Sequence, residues 1–251
     1  MSLKYLILTI LTLLSFQGCS KAEPEIYRVG IDPTFFPLQL IDQADNVFAF
    51  SCELLREISK VSKVELQEVQ MSWDNLNECL QLNKTEGMFS AAPPNLINST
   101  KYSFSETYLK TGPVLVLPKN SKETSLAALS SRIVAMGKTA DELDLMQKFP
   151  DVEFVFYTTL IEALEGTAQG KYAACLIPTI PAHAYIKDLF QSELMIASEP
   201  ITPQGIRLLT LKEKNGELIT IFNEALAKLQ KNGFYSDLLK KWSLPDDPKT
   251  K

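Results

Sequence analysis

The sequence predicts an α/β protein of two lobes, each a mostly parallel sheet flanked by helices. Short apolar strands alternate with segments of helical period; the alternation halts at a proline-bounded strand near mid-chain and then restarts. Beyond an apolar leader about 230 residues remain, enough for two lobes of roughly 100 each with their own cores.

Lys4 gives the leader a positive start, Leu6 to Phe16 an apolar stretch, and Gly18-Cys19 a small residue followed by cysteine. The run is too short to span ~30 Å of hydrocarbon as a permanent helix. Residues 1–18 read as a lipoprotein signal cut before Cys19, whose acylation would tether the chain through 19–25. An ordinary signal peptide with an incidental cysteine is the alternative. Either way the rest is expected outside the cytoplasmic membrane, in the periplasm; in the lipoprotein reading the anchor sits in the inner or outer membrane, with Ser20 leaning towards the outer.

Tyr27, Val29 and Ile31 alternate as a strand that stops at Asp32-Pro33. An aromatic turn and a short hairpin (Leu38–Leu40, Val47–Phe50) are expected next. Leu54, Leu55, Ile58 and Val61 then recur at helical spacing. Val64–Leu66 with Val69 reads as a strand, Trp73, Leu76 and Leu80 as an amphipathic helix, and Gly87–Phe89 as a short buried strand. Val114–Leu117 is an apolar strand between Pro113 and Pro118. The restarted pattern runs strand 133–136, helix 141–149, strand 152–156, helix 161–168 and strand 173–177. After the prolines at 178 and 181 come a strand at 206–211, a helix at 218–229, a break at Gly233 and a last helix at 234–242. Lobe 1 is expected from 26–113 and 203–244, lobe 2 from 114–202, with extended crossovers near 113–118 and 198–205 and a flexible tail at 245–251. Such lobes face each other across a cleft beyond the strands' carboxyl ends.

The chain carries 25 basic and 30 acidic residues, and Lys4 is the leader's only charge. That balance argues against nucleic acid or an anionic membrane surface as partner. Cys52, Cys79 and Cys175 form no zinc spacing and read as small core residues, with a Cys52–Cys79 bridge left open. Neither a Walker loop nor HExxH, GxSxG or a dinucleotide fingerprint occurs. No metal, cofactor or catalytic residue is expected. His183, the sole histidine, reads as a surface residue.

YRVGIDPTFFPLQL at 27–40, SWDNLNECL at 72–80 and NGELITIFNEALAKLQKNGFYSDLLKKW at 215–242 resemble the extracytoplasmic solute-binding proteins of polar amino-acid ABC importers, solute-binding protein family 3. The resemblance runs from Tyr27 to Trp242. It implies the two-lobed periplasmic-binding-protein fold of type II with two hinge strands. It also implies a monomer that captures a small polar solute, an amino acid or derivative, and hands it to an inner-membrane permease driven by a separate ATPase.

Residue by residue, the resemblance implies cleft roles for Asp32 and Phe35 after the first strand and for Trp73 opening the second helix. Phe35 and Trp73 would sandwich a flat or aliphatic side chain or a cation, whereas Phe36, Phe48 and Phe50 read as core. Ser90 matches the serine of the loop that holds the ligand carboxylate in the family, with Ala91 beside it. Pro93 stands where a hydroxyl is usual, and Asn98 where an arginine is. A neutral amide cannot replace a bidentate guanidinium without loss. Lys138-Thr139 aligns with the family's glycine-threonine turn, where Thr139 and free N–H groups would cradle an anion. The acidic residue for the ligand ammonium falls on Ile177 or Pro178. Three readings remain: a re-registered amino-acid site using Asp32 and Lys138, a ligand that is not an α-amino acid, or a sensor with an altered cleft. A cyclohexadienyl dehydratase-like enzyme of the same fold is a further alternative, with Asp32 its one placed acid.

Overall fold

The structure, a computed structural model, describes residues 26–246. The expected leader, the tether with Cys19 and the tail beyond Asp246 lie outside the described residues.

Five strands build each of two sheets. The first comprises β1 (Ile26–Ile31), β2 (Glu65–Gln70), β3 (Gly87–Ser90), β4 (Tyr102–Lys110) and β10 (Gly205–Leu211), in the order β2-β1-β3-β10-β4. The second comprises β5 (Pro113–Pro118), β6 (Ile133–Met136), β7 (Glu153–Phe156), β8 (Ala174–Pro178) and β9 (Leu194–Ile196), in the order β7-β6-β8-β5-β9. In each, three consecutive strands separated by helices pair in parallel, and the strands on the crossover side run antiparallel. Helices α1 (Ala44–Ser62), α2 (Trp73–Gln81), α3 (Leu96–Lys101), α7 (Gly216–Lys231) and α8 (Phe234–Lys241) accompany the first sheet, and α4 (Ala140–Lys148), α5 (Leu160–Ala168) and α6 (Thr179–Asp188) the second. This is the two-lobed α/β fold expected from the sequence.

Local chemistry explains the departures. The hairpin expected at 38–40 and 47–50 is absent, because Val47, Phe50, Leu54, Leu55 and Ile58 form one helical stripe, buried against β1 in the core of the first lobe. Phe48 packs half-buried at the margin of that core. The proline-rich stretch at 178–188 folds as α6, since Pro181 sits in the first turn, where no backbone N–H is needed. The segment 113–118, expected as a crossover, is β5 inside the second sheet between β8 and β9. The chain crosses instead at Thr111-Gly112 and returns through 197–204. The two passages lie side by side, with Thr111 N donating to Gln204 O (3.1 Å) and Ile201 N to Pro113 O (2.8 Å).

Glu86, entering β3, ties that strand to β1. Its carboxylate accepts from the Arg28 backbone N–H (2.7 Å) and from the guanidinium (2.5 and 3.1 Å). Burial alone would push the carboxyl up, but the hydrogen bonds and charge of Arg28 outweigh it and hold Glu86 below the ordinary carboxylate range. A lowered folded-state pKa gives stability that is complete above the unfolded value, roughly 4.3. That stability is lost as pH falls through the folded value. Glu86→Gln is therefore expected to flatten the acid limb of stability against pH, read as urea midpoints from about pH 7 to pH 3. An unchanged limb would remove Glu86 from that account.

Candidate ligand cleft

A cavity of about 750 Å³ opens beyond the carboxyl ends of the parallel strands of both sheets. Residues 37–40 after β1 and 91–93 after β3 form one wall. The other wall is residues 137–139 after β6, 157–158 after β7, and Pro178, Ile180 and Pro181 at the end of β8 and in α6. Thr111 and Gln204, from the two crossovers, also border it. Open α/β sheets bind ligands at this end of their strands, and the volume suits a small molecule.

The structure brings Trp73, Ala91, Asn98, Lys138 and Thr139 to this cavity, and leaves Asp32, Phe35 and Ser90 off its lining. Trp73 opens α2 and is half-buried. Its aromatic neighbour is Phe36, 58% exposed, edge-on with ring centroids 6.4 Å apart. The two phenylalanines thus exchange the exposures expected of them, although Phe36 does not itself line the cavity. Phe35 is 3% exposed inside the core of the first lobe, and Phe36 is the open ring. The cause is the turn after β1. Asp32 Oδ1 accepts from the Thr34 backbone N–H (2.8 Å) and hydroxyl (2.9 Å), while Phe35 N donates to Asp32 O (3.1 Å). That Asx turn swings Phe35 inward at a φ of 51°. Asp32, 4% exposed, is therefore a turn brace, and the cleft acid expected there is not available.

Ser90 is buried too, its hydroxyl accepting from Ala92 N (3.1 Å) and shaping the loop behind the lining. Asn98 lines the cleft but donates its amide to Pro93 O (2.8 Å), while Asn95 caps α3 by accepting from Asn98 N. Across the cavity Lys138 is exposed, its Nζ 5.1 Å from the centroid of the Phe156 ring. The cradle expected at Thr139 is already filled. Glu142, 2% exposed, accepts from Thr139 N (3.1 Å) and Thr139 Oγ1 (2.7 Å), and donates its own N–H back to that hydroxyl (3.3 Å). The protein's own carboxylate thus takes the place of an anionic ligand at the N-terminus of α4. Gly137 makes room for it, since a Cβ there would lie 2.6 Å from Glu142 Oε2. The pattern Thr139-x-x-Glu142 is legible as a capping box.

Sequence reasoning missed two further cleft residues. Tyr157 lines it with a hydroxyl whose pKa is raised, first by burial and then by Glu142. Gln204 donates from its Nε2 to Thr139 Oγ1 (3.2 Å), joining a crossover to α4 across the cleft. Neither carries a motif; only the fold brings them there.

His183, on α6, is exposed and borders a second cavity of about 640 Å³ flanking the crossovers; desolvation lowers its pKa. Cys52 and Cys79 are free thiols, so the bridge left open does not form. Burial pushes the Cys52 thiol up to about 12, with Glu68 adding to the shift. Among the described residues no group of His, Cys, Asp or Glu is placed to hold a metal, and no helix is long and apolar enough to cross a membrane.

Residues 27–245 match bacterial extracellular solute-binding proteins, family 3. The ABC transporter arginine-binding protein 1 of Escherichia coli K12 is 23% identical over 244 residues, 96% of this chain and 99% of the relative. The virulence sensor protein BvgS of Bordetella bronchiseptica is 26% identical over 235 residues, 91% of this chain but 19% of that longer protein. Among solved structures, the unliganded open L-cystine solute receptor of Neisseria gonorrhoeae superposes with a TM-score of 0.70 at 18% identity, covering 88% of this chain and 93% of the receptor. With the fold, the cavity between the lobes and the match over nearly its whole described length in agreement, this chain belongs to the bacterial extracellular solute-binding proteins of family 3.

Proposed function

We propose that this protein captures a small amino acid or amino-acid derivative outside the cytoplasmic membrane and presents it to an ABC importer permease. In this reading Cys19 is the lipid anchor, the crossovers at 111–112 and 197–204 are the hinge, and the lobes close over the solute. One observation supports it above the rest: a cavity of about 750 Å³ lies between the lobes in a family-3 chain, bordered by both crossovers and by Trp73. The relatives named for arginine and cystine binding point the same way. Trp73 and Phe36 offer an open aromatic lip for a ligand side chain, a different pair from the sandwich expected from the sequence.

A second reading is a sensor's ligand module, favoured by the likeness to BvgS over 91% of this chain. It shares the cavity and differs in what the closed form touches next.

A thermal-shift screen of residues 26–246 against the twenty L-amino acids and L-cystine tests the shared step. A true ligand raises the melting temperature by mass action, as its concentration passes its Kd. We expect at least one saturable shift, and expect Trp73→Ala to reduce it while the unliganded melting temperature stays within a few degrees of wild type. Silence across the whole panel would overturn the amino-acid reading.

A further inference from the structure

We propose that Glu142 makes the α4 wall of the cleft a cation subsite, so that the solute presents an ammonium or guanidinium there and is held without a carboxylate: an amine derived from an amino acid, not the amino acid itself. The inference rests on the reading of this cleft as a solute site and narrows its solute to the derivative class.

The donors at the start of α4 are already spent. Thr139 N and Oγ1 both donate to Glu142 Oε2 (3.1 and 2.7 Å). The same hydroxyl accepts from Glu142 N (3.3 Å) and from Gln204 Nε2 (3.2 Å). A hydroxyl has one proton and two lone pairs, so Thr139 has nothing left to give an incoming anion. A solute carboxylate here would also meet the charge of Glu142, and like charges disfavour each other. The loop after β3 is no better supplied. Ser90 Oγ is turned to Ala92 N, Asn98 gives an amide proton to Pro93 O, and Pro93 has no N–H.

Acceptors, by contrast, are left over. Glu142 is 2% exposed, yet only its Oε2 is bonded, and Oε1 has no hydrogen-bond partner among the described residues. The carboxylate sits over Gly137, where a Cβ would lie 2.6 Å from Oε2 and 3.0 Å from Oε1, and both residues line the cleft. Asp141, half-buried beside it, lines the cleft as well, and its carboxylate has no hydrogen-bond partner among the described residues. Thr111 is an independent sign. It borders the cavity from the outward crossover, is 6% exposed, and its Oγ1 is buried without a partner. A buried oxygen in that condition is costly until a hydrogen-bonding group reaches it, and an ammonium brings three donors. Against the two carboxylates the described lining sets one cation, Lys138, which is exposed with its Nζ against Phe156, a ring outside the lining. Trp73 adds an aromatic face, which attracts cations.

Calorimetry on the full chain tests this with pairs that differ only by the carboxylate: agmatine with arginine, cadaverine with lysine, histamine with histidine. At least one amine is expected to bind on the order of 10-fold more tightly than its parent amino acid, the scale of a hydrogen bond to a charged group. Glu142→Gln keeps a capping side chain for α4 and is expected to bring that pair to within about threefold of each other. Glu106→Gln, exposed on β4 and outside the lining, is the control and keeps the preference. If Glu142→Gln does not fold, Asp141→Asn carries the decision, with the same direction expected. Amino acids that bind as tightly as their amines or more so in wild type, or an amine preference untouched in both variants, overturn the cation subsite and leave solute capture in this cleft standing. No binding by any amine or amino acid overturns both.

Discussion

Phe35→Ala is expected to cost the fold about 3–5 kcal/mol, the range for removing a buried aromatic ring. Its neighbour Phe36→Ala is expected to cost no more than about 0.5 kcal/mol, as surface substitutions do. Phe35 is 3% exposed and packs in the core of the first lobe; Phe36 is 58% exposed and touches Trp73. The first loss is a large part of the 5–15 kcal/mol by which a domain of ordinary stability stays folded, so urea midpoints separate the two variants clearly. The order reverses for solute capture. If the proposed solute rests against Trp73 and Phe36, Phe36→Ala is expected to weaken binding by about 0.5–1.5 kcal/mol, with the melting temperature of the free protein unchanged. Equal destabilisation by both variants would show that the turn after β1 does not sort the two rings in this way.

That pair also shows where the sequence is legible and where it is not. Helical and strand period exposed the two α/β lobes, because burial on one face repeats along many residues and tolerates local error. Trp73 was legible as a cleft residue, and its position opening a helix just beyond a strand is what places it there. Adjacent Phe35 and Phe36 carry no such period. Which ring goes inward is settled by one Asx turn, in which the Asp32 carboxylate serves the backbone of Thr34 and is lost to the ligand. The same competition decides Thr139: its hydroxyl and N–H suit an anion, and Glu142, three residues on, supplies one from within the chain. Gln204 lay beyond sequence reasoning for another reason. It sits in the return crossover, more than ninety residues after the chain leaves β4, so its nearness to Thr139 is a product of topology alone.

Gly112→Ala is expected to destabilise the protein by about 1–3 kcal/mol, the usual cost of forcing extra volume into a packed site. Gly112 lies in the outward crossover where it passes the return, and a Cβ there would meet Thr202 Oγ1 at 2.6 Å and Thr202 O at 2.7 Å. The second of these is backbone, so relief needs movement of the passage itself and not of a side chain alone. For a domain of this size the loss corresponds to about 2–4 °C in melting temperature for each kcal/mol. Gly216→Ala is the matched control, since a Cβ there has no heavy atom within 4 Å, and it is expected to melt as wild type does. The contrast isolates the contact between crossovers from any general dislike of alanine for glycine. It also bears on lobe movement. Two passages that touch through a glycine and are linked by Thr111 N to Gln204 O are expected to bend as one unit. A wedge between them is therefore expected to disturb both lobes' alignment at once. Were Gly112→Ala to melt with the control, the crossovers would not lie in contact, and the cleft they border would need another account of its shape.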